Sequence, residues 1–258
     1  MATRVPRPGA PLSAYVLHHY DWSESSLILD LWTREQGRLA VAAKGAKRPH
    51  SQLRAVLLPF QRISVSLGRA PGGEAAEVQN LRAAEWAAGA APPLAGAALF
   101  SGFYLNELLM KLVARHDPHP ALFDAYADTL AALASGDDGA AEVVLRAFEL
   151  TLLREIGVLP DLSIVTLTQQ PVTALQRYAV RPDAGVGLPR AGDADIAGAA
   201  LVGLQAALEH GSLPALRQSC GAALAELKSI LRTQLHYHLG SSVLRTRQVM
   251  VDAQNLER

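Results

Sequence analysis

The period of the hydrophobic pattern changes near residue 81, and that change limits the folds open to the chain. Before it, apolar residues alternate. Ile63, Val65 and Leu67 face one way, and Arg62, Ser64 and Ser66 face the other. Leu27, Leu29 and Leu31 form a second alternating row. Residues 14–17 read as a first strand, and 38–44 and 53–58 as two more. Five short strands ahead of a helix match a small Greek-key barrel of the OB type, and periodicity alone leaves another small barrel open. After residue 81 the repeat is helical: Leu105, Leu108, Leu109 and Leu112 fall at i, i+3, i+4 and i+7. The expected fold is α+β, with an N-terminal OB-fold barrel over residues 1–80 and a mainly α-helical domain over 81–258.

Punctuation divides the helical part. His116-Asp117-Pro118-His119-Pro120 breaks the first helix and starts a second, whose buried stripe is Leu122, Tyr126, Leu130 and Leu133. Ser135-Gly136-Asp137-Asp138-Gly139 is a turn. A helix over 140–156 stops at Gly157, with Pro160 beyond it. An irregular insertion follows at about 160–193, where 176–180 and 186–188 flank a hairpin turn. A helix is expected over 195–209. Ser212 and Pro214 then open a last long helix through Leu216, Cys220, Leu224, Leu227, Leu231 and Leu235 to Gly240.

Charge is segregated along the chain although the formal net charge is 0. From Arg34 to Arg69 there are eight basic residues, and Glu35 is the one acid. Plain surfaces mix their signs, so this concentration on a small β module points to a polyanion, with nucleic acid the first candidate. On a strand over 38–44, Arg38, Ala40, Ala42 and Lys44 share a face, two cations bracketing a floor of alanines. Lys47 and Arg48 follow in a loop beside Gly45 and Pro49, and Arg54 and Arg62 come from adjoining strands. The candidate DNA-binding residues are therefore Arg38, Lys44, Lys47, Arg48, Arg54 and Arg62, acting mainly on phosphates. Tyr15, Trp32, His50 and Phe60 are aromatic residues available for stacking on bases, although core packing is the commoner role of such rings. Two other readings use the same residues: a scaffold whose barrel docks an acidic protein, and an RNA-binding OB protein.

Other chemistries find no foothold. Cys220 is the single cysteine, which excludes an intrachain disulfide and a cysteine zinc cluster and fits a cytoplasmic protein. The basic N-terminal residues precede no apolar stretch, so no signal peptide is expected. The weakly polar stretch 87–99 holds Pro92 and Pro93, and no membrane association is expected. The histidine pairs His18–His19, His116–His119 and His236–His238 lack carboxylates at ligand spacing, so no metal and no cofactor is expected. The loop 70–74 lacks the lysine of a P-loop, and no Gly-x-Ser-x-Gly elbow occurs. No catalytic residues are assigned, and the chain reads as a non-enzyme. One further face matters: Arg146, Leu150 and Leu153 share one side of the helix over 140–156. An apolar groove with a cationic rim would suit an acidic peptide ending in a hydrophobic residue, and a core stripe with a snorkelling arginine has the same pattern.

Several ordered segments carry a family resemblance. They are Ala14-Tyr15-Val16-Leu17, Trp22-Ser23-Glu24-Ser25-Ser26-Leu27, Gly37-Arg38, Ala43-Lys44-Gly45-Ala46-Lys47-Arg48 and Leu58-Pro59-Phe60. Further along come Ser101-Gly102-Phe103-Tyr104-Leu105-Asn106-Glu107, Leu122-Phe123-Asp124-Ala125-Tyr126, Arg146-Ala147-Phe148-Glu149-Leu150 and Leu239-Gly240-Ser241-Ser242-Val243-Leu244-Arg245. Together they resemble RecO, the family of bacterial recombination mediators. The resemblance implies an OB-fold followed by a helical remainder and a place in the cytoplasm at the nucleoid. It also implies binding of single- and double-stranded DNA and annealing of complementary strands. Partners implied are RecR, with which the family helps RecA replace the single-strand-binding protein SSB, and the acidic, Phe-ending tail of SSB. It carries Lys44, Lys47 and Arg48 over as the family's basic loop, and favours Arg146, Leu150 and Leu153 as the contact for the SSB tail. Many relatives hold a four-cysteine zinc module after Pro-Asp-Leu. Here Pro160-Asp161-Leu162 runs into Ser163-Ile164-Val165-Thr166, so the insertion is expected to be zinc-free and held by packing.

Overall fold

Alternation of apolar residues produces strands over most of the N-terminal segment. The structure, a computed structural model, describes residues 10–68, 78–88, 92–136, 138–240, 244–246 and 249. Arg69, the loop 70–74, Asp137 of the expected turn and residues 241–243 of the last resembling segment lie outside the described residues. The chain divides into two compact units, Met1–Ala134 and Ser135–Arg258.

In the first unit five strands close a barrel: β1 (Leu12–Asp21), β2 (Leu27–Thr33), β3 (Gly37–Ala43), β4 (Ile63–Gly68) and β5 (Val78–Trp86). Their order is β1-β2-β3-β5-β4, with β4 returning to β1 and only β3 and β5 parallel. This is the expected OB-like barrel. Its interior is filled by alternate residues, including Leu12, Ala14 and Val16 of β1, Leu29 and Leu31 of β2, Leu39 and Val41 of β3, and Ile63 and Val65 of β4.

Two expectations fail here. Residues 53–58 do not form a strand; they carry the short helix α1 (Leu53–Val56). Leu53, Val56 and Leu57 pack against the barrel core, a helical i, i+3, i+4 set in a run of apolar residues too short to show its period. The fifth strand is β5 instead, so the expected boundary at 80/81 falls inside a strand that must pair with both β3 and β4 to close the barrel.

Two helices complete this unit, α2 (Gly96–Leu112) and α3 (Pro120–Ala134). A buried ion pair joins them to the barrel. Asp30 of β2 and Arg38 of β3 stand diagonally on the outer face, and Arg38 binds both carboxylate oxygens, Nε to Oδ1 at 3.2 Å and Nη2 to Oδ2 at 2.7 Å. Arg38 Nη1 donates to the carbonyl oxygens of Met110 and Val113 at 2.6 and 2.7 Å. Those carbonyls belong to the last turn of α2, which no further helical residue satisfies, and a cation there also meets the negative end of the helix dipole. Gly37, beside it, has φ +71°, and a Cβ there would lie 2.2 Å from the backbone oxygen of Asp117. Only glycine lets the two chains pass.

A second polar link follows from a β-bulge. The register of β1 shifts between Val16 and His18, and the Leu17 carbonyl accepts from Asn106 Nδ2 of α2 at 2.9 Å. Tyr126 of α3 donates its hydroxyl to Asn106 Oδ1. After the bulge, β1 leaves the covered region, and residues 18–21 are exposed.

The second unit begins with α4 (Asp138–Glu155), which ends at Gly157 with φ +75°, as expected. The insertion forms two small sheets: β6 (Ile164–Val165) with β7 (Gln170–Pro171), and β8 (Arg177–Arg181) between β9 (Gly185–Gly187) and β10 (Asp195–Ala197). Hydrogen bonds hold it. Thr166 exchanges bonds with the Val186 backbone, donating from its N–H and accepting on Oγ1. Gly185 at φ +71° leaves room for that hydroxyl. Arg181 pairs with Asp193 and Arg177 with Asp195, and each arginine's hydrogen bond holds its carboxyl below the usual range. Residues 195–197 join this sheet, so α5 (Gly198–Glu209) starts later than the helical pattern indicates. Ser212 caps the next helix as expected, accepting from Ala215 N. The expected single last helix is two, α6 (Leu213–Ala222) and α7 (Leu224–Leu239), broken at Ala223 just after Gly221.

Two outcomes follow. Arg38→Ala leaves Asp30 charged and buried, and should lower unfolding stability by about 3–5 kcal/mol in a denaturant titration. Cys220 is buried and its thiol is pushed up to about 12 by burial, with Glu149 adding to the shift and Arg146 opposing it. A thiol reagent should therefore leave the folded protein unmodified and label it promptly in guanidinium.

Candidate nucleic-acid interface

The cationic segment follows β3 directly. Its backbone is pinned while its charges are left outside. Ala46 is buried in the barrel core and acts as a plug. Its N–H bonds the Ala43 carbonyl, and the N–H of Lys47 bonds the carbonyl of Ser25 in the β1–β2 turn at 3.0 Å. Gly45 at φ +75° makes the bend, and Arg48 lies back along it, its Nε 3.5 Å from where a Gly45 Cβ would sit. With Ala46 turned inward, Lys44 and Arg48 are exposed, and Arg54 of α1 is exposed beyond them. Among the described residues none of these three forms an ion pair with a carboxylate. Lys47 is more committed. Its Nζ donates to the Ser23 carbonyl at 3.0 Å and lies 3.1 Å from Asp21 Oδ1, with the side chain 31% exposed.

Beside the loop is a cleft of about 360 Å³. Leu27, Leu53 and Leu57 give it apolar lining, and His19, Asp21, Lys47 and Arg54 contribute its polar groups. His19 and Asp21 come from the exposed half of β1. On the alternate positions of the same segment, Tyr20 is 50% exposed, and Trp22 just after it is 57% exposed. Partial burial, and then the neighbouring His19, hold the His18 imidazole below its ordinary pKa, with Asp30 opposing.

Of the six cations expected to bind DNA, Lys47 and Arg54 line this cleft, and Lys44 and Arg48 are exposed in the loop that borders it. The other two are used inside the unit. Arg38 is only 7% exposed and is consumed by Asp30 and the end of α2. The alanine floor beside it, Ala40 and Ala42, is buried as well. Arg62 is half-buried, donates from Nε to Ser13 Oγ at 2.9 Å and stands 5.7 Å from the centroid of the Phe123 ring. The expected stacking residues also divide. Tyr15, Trp32 and Phe60 are core residues and His50 is exposed. Exposed rings stand instead at Tyr20 and Trp22, which the sequence marks by a His-x-Tyr-x-Trp alternation at the end of a strand.

In the second unit the Arg146, Leu150 and Leu153 face is a core stripe. Leu150 is 2% and Leu153 0% exposed, and Arg146 Nη2 binds buried Glu149 Oε1 at 2.7 Å. The space Leu150 borders is about 10 Å³, room for at most one water. The helix that carries them packs against both α6 and α7, and this covers Leu150 and Leu153. Among the described residues no cluster of three or more His, Cys, Asp or Glu could hold a metal, and no helix is long and apolar enough to cross a membrane.

Comparison with known proteins agrees with this architecture. The family model for the recombination protein O N terminal matches residues 11–89, and that for the recombination protein O C terminal matches 94–248. The chain is 52% identical over 247 residues to a DNA repair protein RecO of Polaromonas naphthalenivorans, covering 94% of this chain and 96% of that protein. It is 50% identical over 245 residues to that of Verminephrobacter eiseniae and 48% identical over 252 to that of Variovorax paradoxus, with the same coverage. Barrel, helical remainder and sequence thus converge, and the chain belongs to the RecO family of DNA repair proteins.

Proposed function

We infer that the protein is a non-enzymatic mediator that binds single- and double-stranded DNA and anneals complementary strands. With RecR, it helps RecA load onto DNA coated by SSB, in the cytoplasm at the nucleoid. The observation that carries the DNA-binding part is that Lys44 and Arg48, in the loop after β3, and Arg54 of α1 are exposed without a described carboxylate partner. Lys47 adds a fourth, partly committed charge. The partner roles rest on family membership. Binding of the SSB tail is part of this reading, at a surface other than the buried Leu150 and Leu153.

The chemistry needed is electrostatic. Two complementary strands repel through their phosphates, and the repulsion extends over roughly 10 Å at 0.1 M salt. Cations that displace condensed counterions from each strand lower the cost of bringing them together. Base pairing is itself downhill, so the step calls for no nucleotide hydrolysis.

The triple reversal Lys44→Glu, Arg48→Glu, Arg54→Glu should weaken binding of a labelled single-stranded oligonucleotide by more than about tenfold and abolish annealing, because each reversal replaces a phosphate contact by repulsion. Circular dichroism and the melting temperature should stay unchanged, since all three side chains are exposed. Annealing by the triple variant at the parent rate would refute the site. For the parent, three or four phosphate contacts predict that log affinity falls against log salt with a slope of about −2 to −3 for single strands. A scaffold for acidic proteins would show no oligonucleotide binding even at low salt, and an RNA-binding protein would prefer RNA of the same sequence.

A further inference from the structure

The bulge at Val16–His18 pushes the end of β1 out of the covered part of the barrel, and this end carries His18 and Tyr20 on alternate positions, with Trp22 next in the series. The His18 and Tyr20 rings meet edge to face with centroids 4.5 Å apart. Tyr20 and Trp22 are each at least half exposed, whereas Tyr15, Trp32, Phe123 and Tyr126 of the same unit are buried. Rings of this size are ordinarily buried in a core or covered by a partner. Their place says which partner. Lys47 is bonded to Asp21, to the Ser23 carbonyl and, through its N–H, to the Ser25 carbonyl. Trp22 therefore stands between two residues that Lys47 holds, at the margin of the cationic loop. Exposed rings on a segment that Lys47 ties to the cationic loop are complementary to a chain that carries flat bases on a phosphate backbone.

We propose that Tyr20 and Trp22, with His18 packed beside Tyr20, form an edge on which unstacked bases of single-stranded nucleic acid lie while its phosphates rest on Lys44, Lys47 and Arg48. This rests on the reading of the loop given above and adds strand selectivity to it. In a duplex the base faces are covered by one another, so a duplex gains only the phosphate contacts. Pairing with a complement then withdraws the bases from the rings, and the annealed product is held less tightly than the substrate.

The test uses the full chain carrying Trp86→Phe, which leaves Trp22 as the exposed indole beside the buried Trp32. Titration with oligo-dT should quench the tryptophan emission on binding. Adding Tyr20→Ala and Trp22→Ala should lower oligo-dT affinity by roughly tenfold for each ring removed. The affinity for a duplex of the same length and the salt slope should stay as in the parent. Tyr20→Phe and Trp22→Phe, which keep a π-face, should restore most of the loss. An oligomer of abasic sites, phosphates without bases, should bind the parent and the double alanine variant equally. Tight oligo-dT binding by the double variant, or binding by the parent without quenching, would overturn the edge alone and leave the rings to a protein partner. Failure of the parent to bind any oligonucleotide would overturn the loop reading and this inference together.

Discussion

The first unit depends on one buried contact, the guanidinium of Arg38 held between Asp30 and the last carbonyls of α2. Burying a charge is costly unless it is paired and its hydrogen-bonding groups are filled, and here both conditions are met by a single side chain. The carboxylate neutralises it from one side and the helix end accepts from the other. A barrel strand is thereby tied to a helix about seventy residues along the chain. The same contact decides which cations are left for a ligand. Arg38 lies in the most basic stretch of the sequence, yet its charge is spent internally. The strand that carries it is covered along its whole length.

Legibility followed how far each signal is local. Alternation in Leu29-Asp30-Leu31 and in Ile63-Ser64-Val65 marks strands because each has one face in the barrel core, a condition set by nearest neighbours in the chain. Residues 53–58 show the limit: over so short an apolar run the strand and helix periods cannot be told apart, and Pro59 and the left-handed Phe60 end the segment before a second turn. β5 has no fully buried residue, so it carries almost no alternation, and its pairing with β3 is a demand of barrel closure. Side-chain fate was less legible still. Arg38 and Lys44 share a strand face by spacing, but only the approach of α2 buries one and spares the other. Arg146 with Leu150 and Leu153 has the same i, i+4, i+7 pattern whether it lines a groove or a core, and the helices packed against it make it a core.

The insertion of the second unit is held by hydroxyls and ion pairs. Thr166 bridges to Val186, Arg177 and Arg181 fasten the strands to Asp195 and Asp193, and the Gln234 amide reaches the Val180 carbonyl from α7. The Thr166 and Gln234 bonds each satisfy a backbone group that would otherwise cost free energy, and the two ion pairs tie neighbouring segments together at the surface.

The interface inverts the logic of Arg38. There the backbone is fixed, with Ala46 plugged into the core and Lys47 bound to the β1–β2 turn, while Lys44, Arg48 and Arg54 stay in water. Exposed cations keep their hydration until a ligand arrives, and each contributes a modest, salt-screened increment. A few such contacts give an affinity that falls away once the phosphates find other partners. The proposed mediator role, in which a strand passes to a complement or to another protein, calls for that property. A deep ion pair like that of Asp30 and Arg38 would hold such a strand too long; that pair serves the assembly of the unit, and the exposed cations are the ones left for the proposed ligand.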